Sequence, residues 1–449
     1  MAFLARTADF LWNPWLLGLF LVTGLVYSVG SGWFQIFGFP AWWRATAGSL
    51  LRRREKRTGG LSPVQALATA LASTIGTGSI AGVAAALTLG GPGAVFWMWV
   101  SALLGMMTSC GEKLLAVKYQ RPGPDGTLRG GPMYYIRDGL GSNTLAVCFC
   151  LACLPATLAG GNLIQSSSIA ASLEAAFHLP RLPVGIAVAL LTALVMVGGV
   201  GRIAAVSSAL VPAMALLYLG SGGAVLLGNW DRVPHALGLI FSCALSPAAA
   251  LGGGAGWTLA AALRHGVARG VFTNEAGLGT SAMAHGAART DCPVRQGMWG
   301  IFEVFVSTVL VCTVTALAIL VSGLPLSPGG LTGAPLTAAA FGSVLGRAGE
   351  GVVALSLLLF AFSSILGWSY YGQQALEFLS GGRLLPAYRA VFLLCALAGA
   401  LWEGNSLWLL VDLCSALMAL PTLAALLILA PQALRDLSRW QVERKPSAK

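Results

Sequence analysis

The chain has 449 residues, 56% of them hydrophobic and 10% charged, with a mean hydropathy of +0.78 and a formal net charge of +11. Soluble domains carry roughly 25% charged residues, so a soluble enzyme, a disordered chain and a nucleic-acid binder are poor readings. Fifty-eight glycines and 14 tryptophans fit a polytopic helical membrane protein instead, in which Gly enters the helices and Trp lines the interfaces.

The apolar runs are long and continuous rather than weakly alternating as in a barrel. They predict an all-α chain of about eleven spans, at 14–37, 63–89, 92–117, 143–177, 183–200, 203–227, 236–266, 298–322, 349–378, 386–402 and 406–430. The first run is too long for a signal peptide and is read as a retained span. Run 143–177 exceeds a bilayer's thickness, so it is expected to tilt or protrude. Nine cysteines, mostly inside apolar runs, show no metal or disulfide spacing and read as packing residues. The four histidines share no i,i+4 spacing, and no nucleophile–base pair stands out. The chain therefore does not read as an enzyme.

Basic residues give the orientation, since Lys and Arg accumulate in cytoplasmic loops. With the 433–449 tail in the cytoplasm, all but Arg6, Arg181, Arg232 and Arg347 of the 27 basic residues face inward. This predicts a multi-pass protein of a bacterial-type inner membrane, N-terminus outside and C-terminus inside. The Arg52–Arg57 cluster reads as topogenic and in contact with anionic lipid headgroups. Stretches 118–142 and 264–297 read as cytoplasmic loops, the second lying on the membrane surface or under the bundle.

Two runs carry glycine clusters in mid-span. One is Gly76-Thr77-Gly78-Ser79, in the second span; the other is Gly252-Gly253-Gly254-Ala255-Gly256, in the seventh. Glycine weakens a helix by about 1 kcal/mol relative to Ala, where hydrocarbon most demands one. A single cluster is also explained by close helix packing. Two clusters five spans apart match a 5+5 inverted repeat with broken helices, whose free N–H ends bind carboxylates and whose C=O ends bind cations. The expected organisation is an accessory helix over 1–45, a first repeat over 46–232, a second over 233–432 and the tail.

Three further features stand out. Ser363 and Ser364 are adjacent hydroxyls in an apolar run; they suit a dehydrated hard cation or bond back to their own helix. Asn162 and Gln165, at i,i+3, share a helix face and either tie helices together or meet a polar ligand. The acids in spans, Glu112, Glu303 and Asp412, all lie toward span ends, where a structural salt bridge or an interfacial role explains them at least as well; Asp412 is the best candidate for proton coupling.

The stretch Gly90-Gly91-Pro92-Gly93-Ala94-Val95-Phe96-Trp97 resembles the signature of the alanine or glycine:cation symporter family. So do Gly76-Thr77-Gly78, Gly130-Gly131-Pro132-Met133-Tyr134-Tyr135, Phe272-Thr273-Asn274-Glu275-Ala276-Gly277 and Leu366-Gly367-Trp368-Ser369-Tyr370-Tyr371-Gly372, in family order. The resemblance implies a fold like that of the bacterial leucine transporter, with one extra N-terminal helix. It implies sodium-coupled uptake of alanine or glycine by a monomeric unit, with sodium as the co-transported ion and no organic cofactor. It assigns the substrate to Thr77, Gly78, Ser79, Gln165, Gly253, Ser364 and Trp368, and sodium to Ala72, Ile75, Phe360, Ser363 and Ser364. The chain departs from the family at Ser79 and Ser167, where Asn is common. Proton coupling and a non-concentrative channel or sensor are the alternatives.

Overall fold

The computed structural model describes residues 11–12, 14–50, 60–123, 126–245, 258–326, 330–402 and 406–443. Over these the chain is helical apart from a two-stranded ribbon, Arg121–Pro122 with Leu128–Arg129. The helices are α1 (Pro14–Gly30), α2 (Pro63–Thr74), α3 (Gly78–Gly90), α4 (Gly93–Lys118), α5 (Asn143–Phe177), α6 (Arg181–Met196), α7 (Gly199–Gly228) and α8 (Val233–Leu245). They continue with α9 (Leu259–Asn274), α10 (Thr280–Gly286), α11 (Pro293–Val321), α12 (Gly333–Leu345), α13 (Arg347–Ser380), α14 (Leu385–Leu401) and α15 (Ser406–Glu443). Among the described residues six helices, α4, α5, α7, α11, α13 and α15, are each long and apolar enough to cross a bilayer, and the bent pair α2/α3 makes a seventh.

The start and end of α2 follow from local chemistry. Ser62 and Gln65 form a reciprocal capping box, with bonds of 3.0 and 3.2 Å, and Pro63 occupies the first turn. The helix stops at Thr74, and the chain turns through Ile75–Thr77 into α3 at an angle of 51°. The glycine cluster thus breaks the second span where the sequence places the break.

A second break in a helix lies at Glu275–Gly279, downstream of the Gly252–Gly256 cluster at which one is expected. Residues 246–257, with Gly253 and the glycines around it, lie outside the described residues. The stretch expected as a cytoplasmic loop, 264–297, is instead α9, a tight turn over Glu275–Gly279, α10 and the start of α11. Glu275, Gly277 and Gly279 all have positive φ, a conformation that glycine adopts freely and glutamate only under constraint. The segment is a buried core element, not a surface one: Ala276, Leu278, Ala282, Met283 and His285 are all buried. Burial is possible because the polar groups of this segment meet partners on α4 and α11, as described below.

Close approaches hold these elements together. A Cβ on Gly111 of α4 would stand 2.3 Å from the Tyr27 ring, so glycine there lets α1 pack against the bundle. The Tyr27 hydroxyl in turn donates to Leu426 O on α15. A Cβ on Gly367 would reach the Ser73 side chain at 2.8 Å, which is how α13 touches α2.

Candidate functional site

The end of α2 meets the middle of α13. Ser363 Oγ donates to Ala72 O at 3.0 Å and to Phe360 O at 2.9 Å. Ser364 Oγ donates to Ala72 O at 3.1 Å and to Ser73 O at 3.2 Å. Ala72, Phe360, Ser363 and Ser364 are fully buried. Two hydroxyl and two carbonyl oxygens, those of Ala72 and Phe360, therefore converge out of water, a donor set suited to a hard monovalent cation. Ile75, also buried, is the C-cap residue that follows the last residue of α2.

Beside this nest lies a cavity. The first break contributes Ser73, Thr74, Gly76 and Gly78, and α5 contributes Gly160 and Gln165. The second break contributes Phe272, Glu275 and Leu278; Trp368 and Ser415 close it. A Cβ on Gly76 would lie 2.6 Å from Ser364 Oγ and 3.4 Å from Gln165 Oε1. The absent side chain of Gly76 thus leaves a space that Ser364 and Gln165 both border, so nest and cavity adjoin there. Trp368 lies flat against Gly161, whose added Cβ would be 2.3 Å from the Trp368 Cβ.

Of the residues singled out from sequence, Gly78, Gln165 and Trp368 line the cavity. Thr77 donates its backbone N–H to Gln165 Oε1 at 3.4 Å, while its hydroxyl and that of Ser79 are buried without a partner. The Ser79 carbonyl accepts from Thr315 on α11. Ser364 belongs to the serine–carbonyl nest and does not line the cavity. Ser167 lies on neither, bonding to Trp402 O. Asn162 and Gln165 take different roles: Asn162 Nδ2 bonds Phe392 O on α14 at 2.5 Å, tying helices, while Gln165 faces the cavity. They diverge because α5 is π-wound over Ala159–Leu163, which shifts the register that i,i+3 spacing assumes. Sequence reasoning missed Phe272, Glu275, Leu278 and Ser415. For the first three the available signal was the pair Gly277 and Gly279.

Above Phe272 sits a charged and aromatic cover. The Arg269 guanidinium lies 4.9 Å from the Trp408 ring and 4.0 Å from Asp412 Oδ1, and Phe272 packs edge-on against Trp408. Asp412, a quarter exposed, is therefore an ion-pair partner on this cover and not part of the cavity wall.

Behind the second break lies a buried charge cluster. Glu112 Oε1 accepts the backbone N–H groups of Gly277 and Gly279, at 3.1 and 3.0 Å. Lys113 Nζ stands 3.7 Å from Glu112, 3.5 Å from Glu303 and 2.7 Å from Ser109 Oγ. His285 bridges Glu303 and Gln296. A carboxylate on α4 thus replaces the helical acceptors that the broken segment lacks.

The sodium:alanine symporter family matches residues 1–449. An uncharacterized transporter from Haemophilus influenzae is 42% identical over 94% of this chain and 92% of its own. A protein named Sodium/alanine symporter AgcS, from Methanococcus maripaludis, is 39% identical over 98% of this chain and 97% of its own. Among solved structures, a manganese transporter from Eremococcus coleocola covers 86% of this chain and 76% of its own at 15% identity, with a TM-score of 0.47.

Proposed function

We propose, because the chain belongs to the sodium:alanine symporter family, that this multi-pass, cation-coupled amino acid transporter imports alanine or glycine together with sodium by alternating access. The observation that carries this reading is the meeting point at Gly76: the space its missing Cβ leaves is bounded by Ser364 Oγ of the serine pair and by Gln165 of the cavity wall. Sodium in the nest of Ala72, Phe360, Ser363 and Ser364, with Ile75 at its edge, fixes the break between α2 and α3. A fixed break holds the N–H groups near Thr77 and Gly78 ready for a carboxylate at the start of α3. Each ligand then raises the other's affinity, and linkage makes the effect reciprocal. Trp368 and Phe272 limit the side chain to a small one.

In this reading the two repeats run from α2 to α7 and from α9 to α15, each opening on a broken helix, with α1 as an accessory span. The second repeat thus opens at α9 rather than at residue 233, and α8 and α12 lie outside the ten-helix core. Arg269, Asp412, Trp408 and Phe272 form the outward cover, which moves Arg264 and Arg269 on α9 from the inward side of the basic-residue count to the outward one, and the Glu112–Glu303 cluster closes the cytoplasmic side. The protein works as a monomer in the inner membrane, N-terminus outside. Proton coupling through Asp412 is disfavoured by that residue's ion pair with Arg269 on the cover.

Thermal unfolding of the purified protein tests the reading. Alanine is expected to raise the melting temperature in sodium buffer and not in choline buffer. An equal rise in both would overturn it.

A further inference from the structure

The backbone N–H groups of the break do not depend on the Glu275 carboxylate. The N–H groups of Gly277 and Gly279 are satisfied by Glu112, and α9 ends with the Glu275 N–H on Val271 O. Yet a carboxylate stands here, 2% exposed, in a left-handed conformation with φ of 53°. One oxygen accepts from Thr280 Oγ1 at 2.5 Å, and the residue forms part of the cavity wall with Gly76, Gln165 and Trp368.

The surrounding charge does not balance. Glu112, Glu275 and Glu303 are buried against one lysine, Lys113, and one histidine, His285. Lys113 contacts Glu112 and Glu303, and His285 contacts Glu303. Even with the imidazole protonated, one negative charge is left over. A buried carboxylate is stabilised either by a proton or by a counter-charge, and Glu275 is the cluster carboxylate that meets the cavity, where a ligand can supply the latter.

We propose that the Glu275 carboxylate pairs with the ammonium group of the bound amino acid and so makes the cavity selective for amines over plain carboxylates. The inference rests on the proposed function and sharpens it. The substrate carboxylate goes to the first break and its ammonium to the second, so a zwitterion bridges the two broken helices. Lactate, which has alanine's shape with a hydroxyl in place of the ammonium, fits the same space and leaves Glu275 unpaired.

The test is equilibrium binding of radiolabelled alanine to the purified full-length protein in saturating sodium, with unlabelled L-lactate as competitor. Glu275→Gln keeps the shape and removes the charge. It is expected to weaken alanine by about tenfold or more, as loss of a charge-assisted bond does, while lactate binds no worse than to the wild type. Thr280→Val, which frees the carboxylate, is expected to fall between the two. Unchanged alanine affinity in Glu275→Gln overturns the inference, as does an equal loss for alanine and lactate. The sodium-induced thermal shift, read without substrate, reports folding. Should Glu275→Gln lose that shift, Glu275→Asp must still prefer alanine over lactate, and its failure to do so also overturns the inference. Wild-type protein that binds no alanine would overturn the function itself, whereas wild-type binding matched by Glu275→Gln removes this inference alone.

Discussion

Ser363 on α13 donates to the carbonyl of Ala72 near the end of α2, at 3.0 Å. Replacing both Ser363 and its neighbour Ser364 with Ala removes the two hydroxyl oxygens of the cation nest. The double variant is expected to lose sodium-dependent alanine uptake while inserting normally. Sodium titration of uptake checks this, and an unchanged sodium dependence would refute the ion assignment.

A Cβ on Gly76 would stand 2.6 Å from Ser364 Oγ and 3.4 Å from Gln165 Oε1, so a side chain there forces the Ser364 hydroxyl to move. Gly76→Ala therefore disturbs nest and cavity together. Sodium and alanine affinities are expected to fall in parallel, by about tenfold or more each, since overpacking costs about 1–3 kcal/mol. Titrations of each ligand at a fixed level of the other would measure both losses.

Glu112 holds the second break by accepting from Gly277 and Gly279. Glu112→Ala strands two buried N–H groups and leaves Lys113 short of a partner. The expected loss is about 3–5 kcal/mol, the usual consequence of breaking a buried charged pair. Glu112→Gln keeps an acceptor oxygen and should unfold at a higher temperature than Glu112→Ala in detergent. The opposite order would remove the clamp.

Asp412 pairs with Arg269 on the cover, where both side chains are partly exposed. Such pairs contribute roughly 0–1 kcal/mol, so Asp412→Asn is expected to keep sodium-driven uptake within about fivefold of wild type. Abolished uptake with an altered proton dependence would instead make Asp412 a proton carrier. Initial-rate measurements at several external pH values separate the two outcomes.

Much of this site was legible in the sequence, and what was not has a physical cause. The break at Gly76–Gly78 stood out because glycines in mid-span oppose the helix that a bilayer demands. Ser363 and Ser364 are not distinctive by type, since Ser166–Ser168 and Ser207–Ser208 also lie in apolar runs; the family resemblance singled them out for sodium. The second break was hidden behind charge. Arg264, His265, Arg269 and Glu275 gave the 264–297 stretch the look of a solvated loop, so the break at Glu275–Gly279 was not read there; the break expected at Gly252–Gly256 lies outside the described residues. No sequence pattern reveals that Glu112 and Lys113, far back in the chain, supply the acceptor and the counter-charge that allow this polar segment to be buried. The divergence of Asn162 and Gln165 was equally invisible, because π-winding over Ala159–Leu163 leaves no mark on a helical wheel.

The most direct measurement is alanine uptake into proteoliposomes holding the purified protein, driven by an inward sodium gradient and compared with an equal choline gradient. Concentrative accumulation is expected with sodium and none with choline. Equal accumulation under both gradients, or none under either, would contradict the account.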